Sequence, residues 1–244
     1  MQRRIQHCLS AAAAVVLSVA VAGCGDRTQS APARTDGALV VVTTAETPPY
    51  SYVDAATGEV VGDEIDIVRE AAKKIGRRVE IRRLRFEQLL LAVKTGEADM
   101  AASGISITGP RMADVDFSVP YAYDGGMFLY RAGERVPTMI LAERIRIAVL
   151  ESTTYDFYLC SHGIDPVRFR SYTDAVEALK SRDVDAVFND GIVVKVSVAE
   201  SNGALAASRF ETRENFGIAV RKDMPELRDA LDQVIRERGG GRDG

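Results

Sequence analysis

The sequence predicts an α/β protein made of two lobes, each with a parallel sheet. Three observations predict it. Short β-rich runs alternate with amphipathic helical runs from about Ala38 to Ile235, and strand-helix alternation places strands side by side through right-handed crossovers. One helix-strand unit recurs without a gap at an offset of 86: Phe86 meets Tyr172, Leu90 meets Val176, Val93 meets Leu179, Lys94 meets Lys180 and Asp99 meets Asp185. The region spans roughly 200 residues, enough for one large domain or two small ones.

The N-terminus comes first. Met-Gln-Arg-Arg precedes an apolar run over 11–22 that ends Val21-Ala22-Gly23-Cys24. Basic residues, a short apolar core and small residues before the cut describe an export signal over 1–23. The Val-Ala-Gly-Cys form resembles the lipobox of bacterial lipoproteins, which implies lipidation of Cys24 and a membrane anchor. Residues 24–37 are small and polar without apolar periodicity, a flexible tether.

In the first half, 39–43 reads as a strand and 64–75 as a helix with Ile65, Val68, Ala72 and Ile75 on one face. A strand over 79–84, the helix led by Phe86 and a short buried strand over 100–102 follow. The second half repeats this with strands over 146–150 and 167–170, a helix near 155–161, the helix led by Tyr172 and a strand over 186–188. A frayed tail is expected over 238–244.

The net charge of −4 is spread among scattered basic and acidic residues, which excludes a basic nucleic-acid surface. Past the leader no apolar segment approaches the ~20 residues of a membrane span. Of three cysteines, Cys8 leaves with the leader and Cys24 is the lipid site. Cys160 then stands alone, so no intramolecular disulfide is expected. Cys160-Ser-His162 lacks a third orienting group for a nucleophile, and Cys160 reads as a small apolar residue at a helix end. One Cys with one His cannot build a zinc site, and no metal or cofactor is predicted.

The candidate site is Ser103-Gly-Ile-Ser-Ile-Thr-Gly-Pro-Arg111. Thr108 is a suitable helix N-cap, Pro110 fits a first turn, and Arg111 offers a fork that binds a carboxylate through two bonds. A capped surface helix with an exposed arginine is the plain alternative. Ligands of open α/β sheets bind beyond the carboxyl ends of the strands, which is where Ser103 and Gly104 emerge. The repeat offset brings Asn189 and Asp190 to the same edge of the second lobe. Asn-Asp-Gly is also a turn sequence, but its repeat-equivalent placement favours Asp190 as the partner of an ammonium group.

Pro48-Pro-Tyr-Ser-Tyr-Val, Gly58-Glu-Val-Val-Gly-Asp-Glu-Ile-Asp-Ile67, Ser106-Ile-Thr-Gly-Pro-Arg111, Asp116-Phe-Ser-Val-Pro-Tyr121, Ser152-Thr-Thr-Tyr, Asp185-Ala-Val-Phe-Asn-Asp190 and Phe216-Gly-Ile-Ala-Val-Arg-Lys222 together resemble the family 3 extracellular solute-binding proteins of bacterial ABC importers. The resemblance implies a two-lobe periplasmic-binding-protein fold of type II, closing on its ligand about a two-strand hinge near 121–125 and 215–217. Lobe 1 would comprise 38–121 and 218–237, and lobe 2 would comprise 125–214. By position, Arg111 would hold a ligand α-carboxylate, helped by Ser106 and by the hydroxyl or amide of Thr154. Asp190 and the carbonyl of Gly104 would take the α-ammonium, and Phe86, Tyr50 and Ser103 would line the cleft.

Three departures stand out. Thr47, preceded by Glu46, replaces the usual aromatic cover, and Asp63-Glu64 replaces a phenylalanine-led pair. Gly-Pro also stands where Pro-Glu opens the helix. Glu46, Asp63 and Glu64 either favour a cationic side chain or point into water. The expected protein is a monomeric, lipid-anchored extracytoplasmic receptor that delivers a polar or cationic amino acid to a membrane permease, with no nucleic acid as partner and no catalysis. A cyclohexadienyl-dehydratase-like enzyme and a ligand-sensing subunit are the alternatives.

Overall fold

The computed structural model describes residues 37–240 and the backbone of Arg242–Asp243. The export signal over 1–23, the lipid site Cys24 and all but the last residue of the tether lie outside the described residues.

The chain opens with β1 (Leu39–Thr43), whose five residues are all buried. Burial on both faces suits a central strand of a parallel sheet, and a continuous apolar run encodes it. A small antiparallel flap follows, β2 (Glu46–Thr47), β3 (Ser51–Val53) and β4 (Val60–Val61). Gly62 then turns the chain into α1 (Asp63–Lys74) with φ +124°, and a Cβ there would lie 2.3 Å from the Tyr50 carbonyl oxygen. Next come β5 (Val79–Arg83), α2 (Phe86–Thr95), β6 (Met100–Ala101), α3 (Gly109–Asp114), β7 (Asp116–Phe117) and β8 (Ala122–Asp124). The chain goes on through β9 (Gly126–Arg131), β10 (Ile147–Leu150), α4 (Thr154–Ser161), β11 (Val167–Phe169), α5 (Tyr172–Lys180), β12 (Ala186–Asp190), α6 (Gly191–Glu200) and β13 (Leu205–Ala207). It closes with β14 (Glu214–Phe216), β15 (Ala219–Val220), α7 (Pro225–Glu237) and β16 (Arg242–Asp243).

Two five-stranded sheets result, ordered β5-β1-β6-β15-β7 and β11-β10-β12-β9-β13. Each has three parallel strands at one side and joins antiparallel neighbours at the other. Each sheet with its helices is called a lobe below. The repeat has a physical cause. Asp99 accepts a 2.8 Å bond from the Val40 amide, and Asp185 accepts one of the same length from the Arg146 amide. In both lobes the repeated aspartate thus ties the turn before its strand to the start of the neighbouring strand, satisfying a backbone donor at a sheet end.

In the first lobe, α7 lays Leu227, Leu231, Val234 and Ile235 against Val68, Ala71 and Ala72 of α1. Full burial of such a side chain is worth about 1.5–3 kcal/mol. The chain leaves this lobe through β8 and returns through β14, which pair antiparallel with Glu214 opposite Asp124. At the end of the described residues, Arg238 bonds Glu70 at 2.6 Å, and Arg242–Asp243 pairs in parallel with β8. An edge strand with open backbone groups is a template for such an addition, which apolar periodicity does not signal.

Candidate functional site

Where the carboxyl ends of β1, β6, β10 and β12 converge, a cavity is lined by residues of both lobes, among them Glu46, Thr47, Phe86, Ser103, Gly104 and Ser106 from the first and Thr154, Tyr155, Tyr172 and Asp190 from the second. On the first side, the Ser103 hydroxyl lies 2.8 Å from that of Thr44, which fixes the loop after β6. Gly104 follows with φ +61°, a left-handed conformation that favours glycine. A Cβ there would come within 3.1 Å of Thr47 Cγ2 and 4.0 Å of Asp190 Oδ2. The glycine therefore brings the backbone of the first lobe directly against the carboxylate of the second.

Thr108 caps α3, its hydroxyl accepting from the Arg111 amide at 3.4 Å. With six residues, α3 supplies little dipole, so the charge of Arg111 dominates this corner. Its Nη1 donates to the Ser106 carbonyl at 2.9 Å, and its guanidinium lies 5.6 Å from the Phe86 ring centroid. Arg111 is thus held over Phe86 at the edge of the cavity and is not itself among the lining residues. Burial disfavours its charge, while the carboxylates of Glu214 and Asp190 oppose that effect.

On the second side, β12 runs through Asp190 directly into α6, so Asn-Asp-Gly is a strand-to-helix junction rather than a hairpin turn. Asp190 Oδ1 accepts from the Tyr155 hydroxyl at 2.6 Å. Burial holds the Asp190 carboxyl well above its ordinary range. The negative charges of Glu214 and Asp124 add to this, and Tyr155 and Arg111 counter it. A carboxylate so disfavoured gains strongly from a cation brought beside it.

The three added carboxylates resolve differently. Asp63 is exposed in the first turn of α1. Glu64 turns inward and is 0 % exposed, accepting from the Tyr121 hydroxyl at 2.6 Å and from the Gly104 amide at 3.1 Å. It neither faces water nor lines the cavity. Burial pushes its carboxyl up to about 7, against the pull of those two donors. Glu46 does line the cavity, and its Oε2 accepts from the Tyr172 amide at the start of α5, 3.2 Å away across the cleft.

Tyr50 is absent from the lining; it packs edge-on against Tyr121 and Phe216, with ring centroids 5.4 and 6.0 Å away. Ser106 and Thr154 point their hydroxyls toward each other at 3.4 Å, and both donate to the carboxylate of Glu214, that of Thr154 at 2.8 Å. Sequence reasoning missed Glu214, Tyr155 and Tyr172. Tyr172 was legible as the repeat partner of Phe86, which also lines the cavity, but Glu214 lies on a returning strand with no motif of its own. Cys160 is exposed rather than packed, with Arg168 Nη2 at 3.0 Å from its sulfur. Among the described residues no cluster of His, Cys, Asp or Glu could hold a metal ion, and no helix is long and apolar enough to cross a membrane.

The family model of the bacterial extracellular solute-binding proteins, family 3, matches residues 39–238. The chain belongs to that family. It is 30% identical to a probable histidine-binding protein of Neisseria gonorrhoeae over 94% of this chain and 90% of the relative. A probable ABC transporter arginine-binding protein of Chlamydia trachomatis is 29% identical over 92% of this chain and 88% of its own length. Among solved structures, the arginine-bound form of truncated ArgBP from T. maritima superposes with a TM-score of 0.78 at 33% identity, covering 83% of this chain and 96% of that one. An ancestral amino-acid-binding protein described as a precursor of cyclohexadienyl dehydratase superposes with a TM-score of 0.74 at 26% identity, over 82% and 89%. The extracytoplasmic solute-binding role of the family is therefore that of this chain, and its two-lobe α/β architecture is the type II periplasmic-binding fold.

Proposed function

We propose that the cleft captures a cationic amino acid and that the protein presents it to the permease of an ABC importer. One observation carries the reading: Asp190 lines the cavity from the second lobe, and Arg111 stands over the cavity-lining Phe86 ring on the first, so a cation and an anion face one cleft from opposite sides. A zwitterion satisfies both, its carboxylate on Arg111 and its ammonium between Asp190 and the Gly104 carbonyl. Glu46 then adds a lining carboxylate whose negative charge neither the Tyr172 amide nor the zwitterion neutralises, which favours a side chain bearing positive charge. The Phe86 ring, already beneath the Arg111 guanidinium, forms one wall. Named arginine- and histidine-binding relatives support this class of ligand.

In this reading no residue performs chemistry, closure of the lobes follows from contacts made to both at once, and the receptor works as a monomer tethered through a lipid on Cys24. The dehydratase alternative predicts consumption of prephenate on incubation, which this reading predicts will not occur. Calorimetric titration of the full chain with L-arginine, L-lysine, L-histidine, L-glutamine and L-cystine tests the ligand class. Binding at about micromolar or tighter is expected for a cationic amino acid, a net of roughly 8 kcal/mol. Binding of L-glutamine or L-cystine with no cationic amino acid bound would overturn the charge argument.

A further inference from the structure

The Glu214 side chain joins three parts of the molecule that chain connectivity keeps apart. Ser106 follows the loop after β6 in the first lobe, Thr154 opens α4 in the second, and Glu214 belongs to the returning strand β14. Both hydroxyls donate to one oxygen of Glu214, Oε2. A hydroxyl has a single proton. With both protons directed to Glu214, neither Ser106 nor Thr154 has one left for a ligand carboxylate. That carboxylate is left to Arg111 and to backbone amides such as the first of α4, which have no partner within the helix.

The arrangement needs the lobes together, since the two hydroxyls stand 3.4 Å apart from opposite sides of the cleft. It is also pinned from behind. The β14 backbone pairs with β8, the Ile107 amide donates to the Asn215 carbonyl at 2.8 Å, and Ser106 forms a bridge with Phe216. Glu214 therefore projects from a fixed strand and reaches both lobes without ordering a flexible loop.

We propose that Glu214 is a positioning residue of the cleft: it clasps the closed lobes by accepting the Ser106 and Thr154 protons, and acts on the ligand only through them. The inference rests on the receptor reading above. It differs from direct recognition in its consequence, because loss of the clasp loosens closure while the contacts of Arg111 and Asp190 persist.

The test compares the full-length protein with E214A and E214Q in two measurements. The first is the dissociation rate of L-arginine by stopped flow, and the second is the ligand-free radius of gyration by small-angle X-ray scattering. For E214A, dissociation about tenfold faster is expected, the size of one charge-assisted hydrogen bond, together with a larger ligand-free radius. E214Q keeps an acceptor oxygen and is expected to stay within about twofold of the parent. E214A indistinguishable from the parent in both measurements would overturn the clasp. Slower dissociation from E214A would also overturn it, since Glu214 would then be competing with the ligand carboxylate. If the parent binds no L-arginine, the proposed ligand fails and scattering alone decides the clasp. E214D, one methylene short of both hydroxyls, repeats the test should alanine leave the hinge strand unfolded.

Discussion

Glu64 is buried beneath the cleft, and its titration is legible in the stability of the whole protein. Its carboxyl moves from an ordinary 4.5 to about 7 on folding because burial penalises the ionised form. At 1.36 kcal/mol per pH unit this is a penalty of about 3 kcal/mol on the charged state. A carboxyl raised in the folded state binds a proton that the unfolded chain has released, so stability is fully present below pH 4.5 and is lost as pH rises through 7. Most of that loss, about 2–3 kcal/mol, falls between pH 5 and pH 8. Glu64→Gln cannot ionise, yet its amide can accept from the Gly104 amide and donate to the Tyr121 oxygen. Relative to the parent, E64Q should therefore gain about 2–3 kcal/mol between pH 5 and pH 8, or about 5–10 °C in melting temperature for a protein of this size. Ligand-free thermal melts at the two pH values measure it. Parallel pH profiles for parent and variant would refute the reasoning, because Glu64 would then be ionised, or neutral, at both.

Arg111→Ala should weaken L-arginine binding by about 2–5 kcal/mol, since it leaves a ligand carboxylate desolvated and unpaired; calorimetry reads the change, and a melting temperature near that of the parent shows that the fold survives. Affinity should rise with pH above the ordinary Asp190 value of 3.8, because a carboxyl raised in the free cleft must lose its proton to pair with an ammonium. Proton release on binding, measured in buffers of different ionisation enthalpy, checks this, and Asp190→Asn should abolish it. Gly104→Ala should cost about 1–2 kcal/mol from the left-handed backbone alone, with further loss of affinity as its Cβ crowds Thr47; chemical denaturation separates the two effects. Leu231→Ala, in the core of the first lobe, should cost about 2–5 kcal/mol of stability and leave ligand affinity unchanged wherever the protein is folded.

Parts of this molecule could be read directly because local physics encodes them. The all-buried run of β1, the amphipathic face of α1, the Thr108 cap and the strand-to-helix repeat each follow from side-chain period or backbone donor demand. Asp99 and Asp185 show why the repeat is visible at all: each serves the same amide at the same sheet edge, and that need preserves a residue type at a fixed spacing. The placement of Ser103, Gly104 and Asp190 at the cavity was reachable for the related reason that strand ends in such sheets face one edge. The carboxylates were not. Glu46, Asp63 and Glu64 read alike in sequence, yet one lines the cavity, one is exposed and one is buried beneath the binding loop.

By itself, then, the sequence determined the strand-helix order, the paired lobes and the strand ends that border the cavity, with Asp190 among its lining residues. Those features depend on residue type and on spacing within an element. Only the tertiary structure decided that Tyr50 packs against the core rather than lining the cavity, that Glu64 holds the Gly104 amide, and that Glu214 receives the protons of Ser106 and Thr154. Each of these depends on residues at least 40 positions apart or on which face of a strand turns inward. The physical reason is that hydrogen bonds and desolvation act over a few ångströms of space, whereas sequence patterns report only the few residues that share one element.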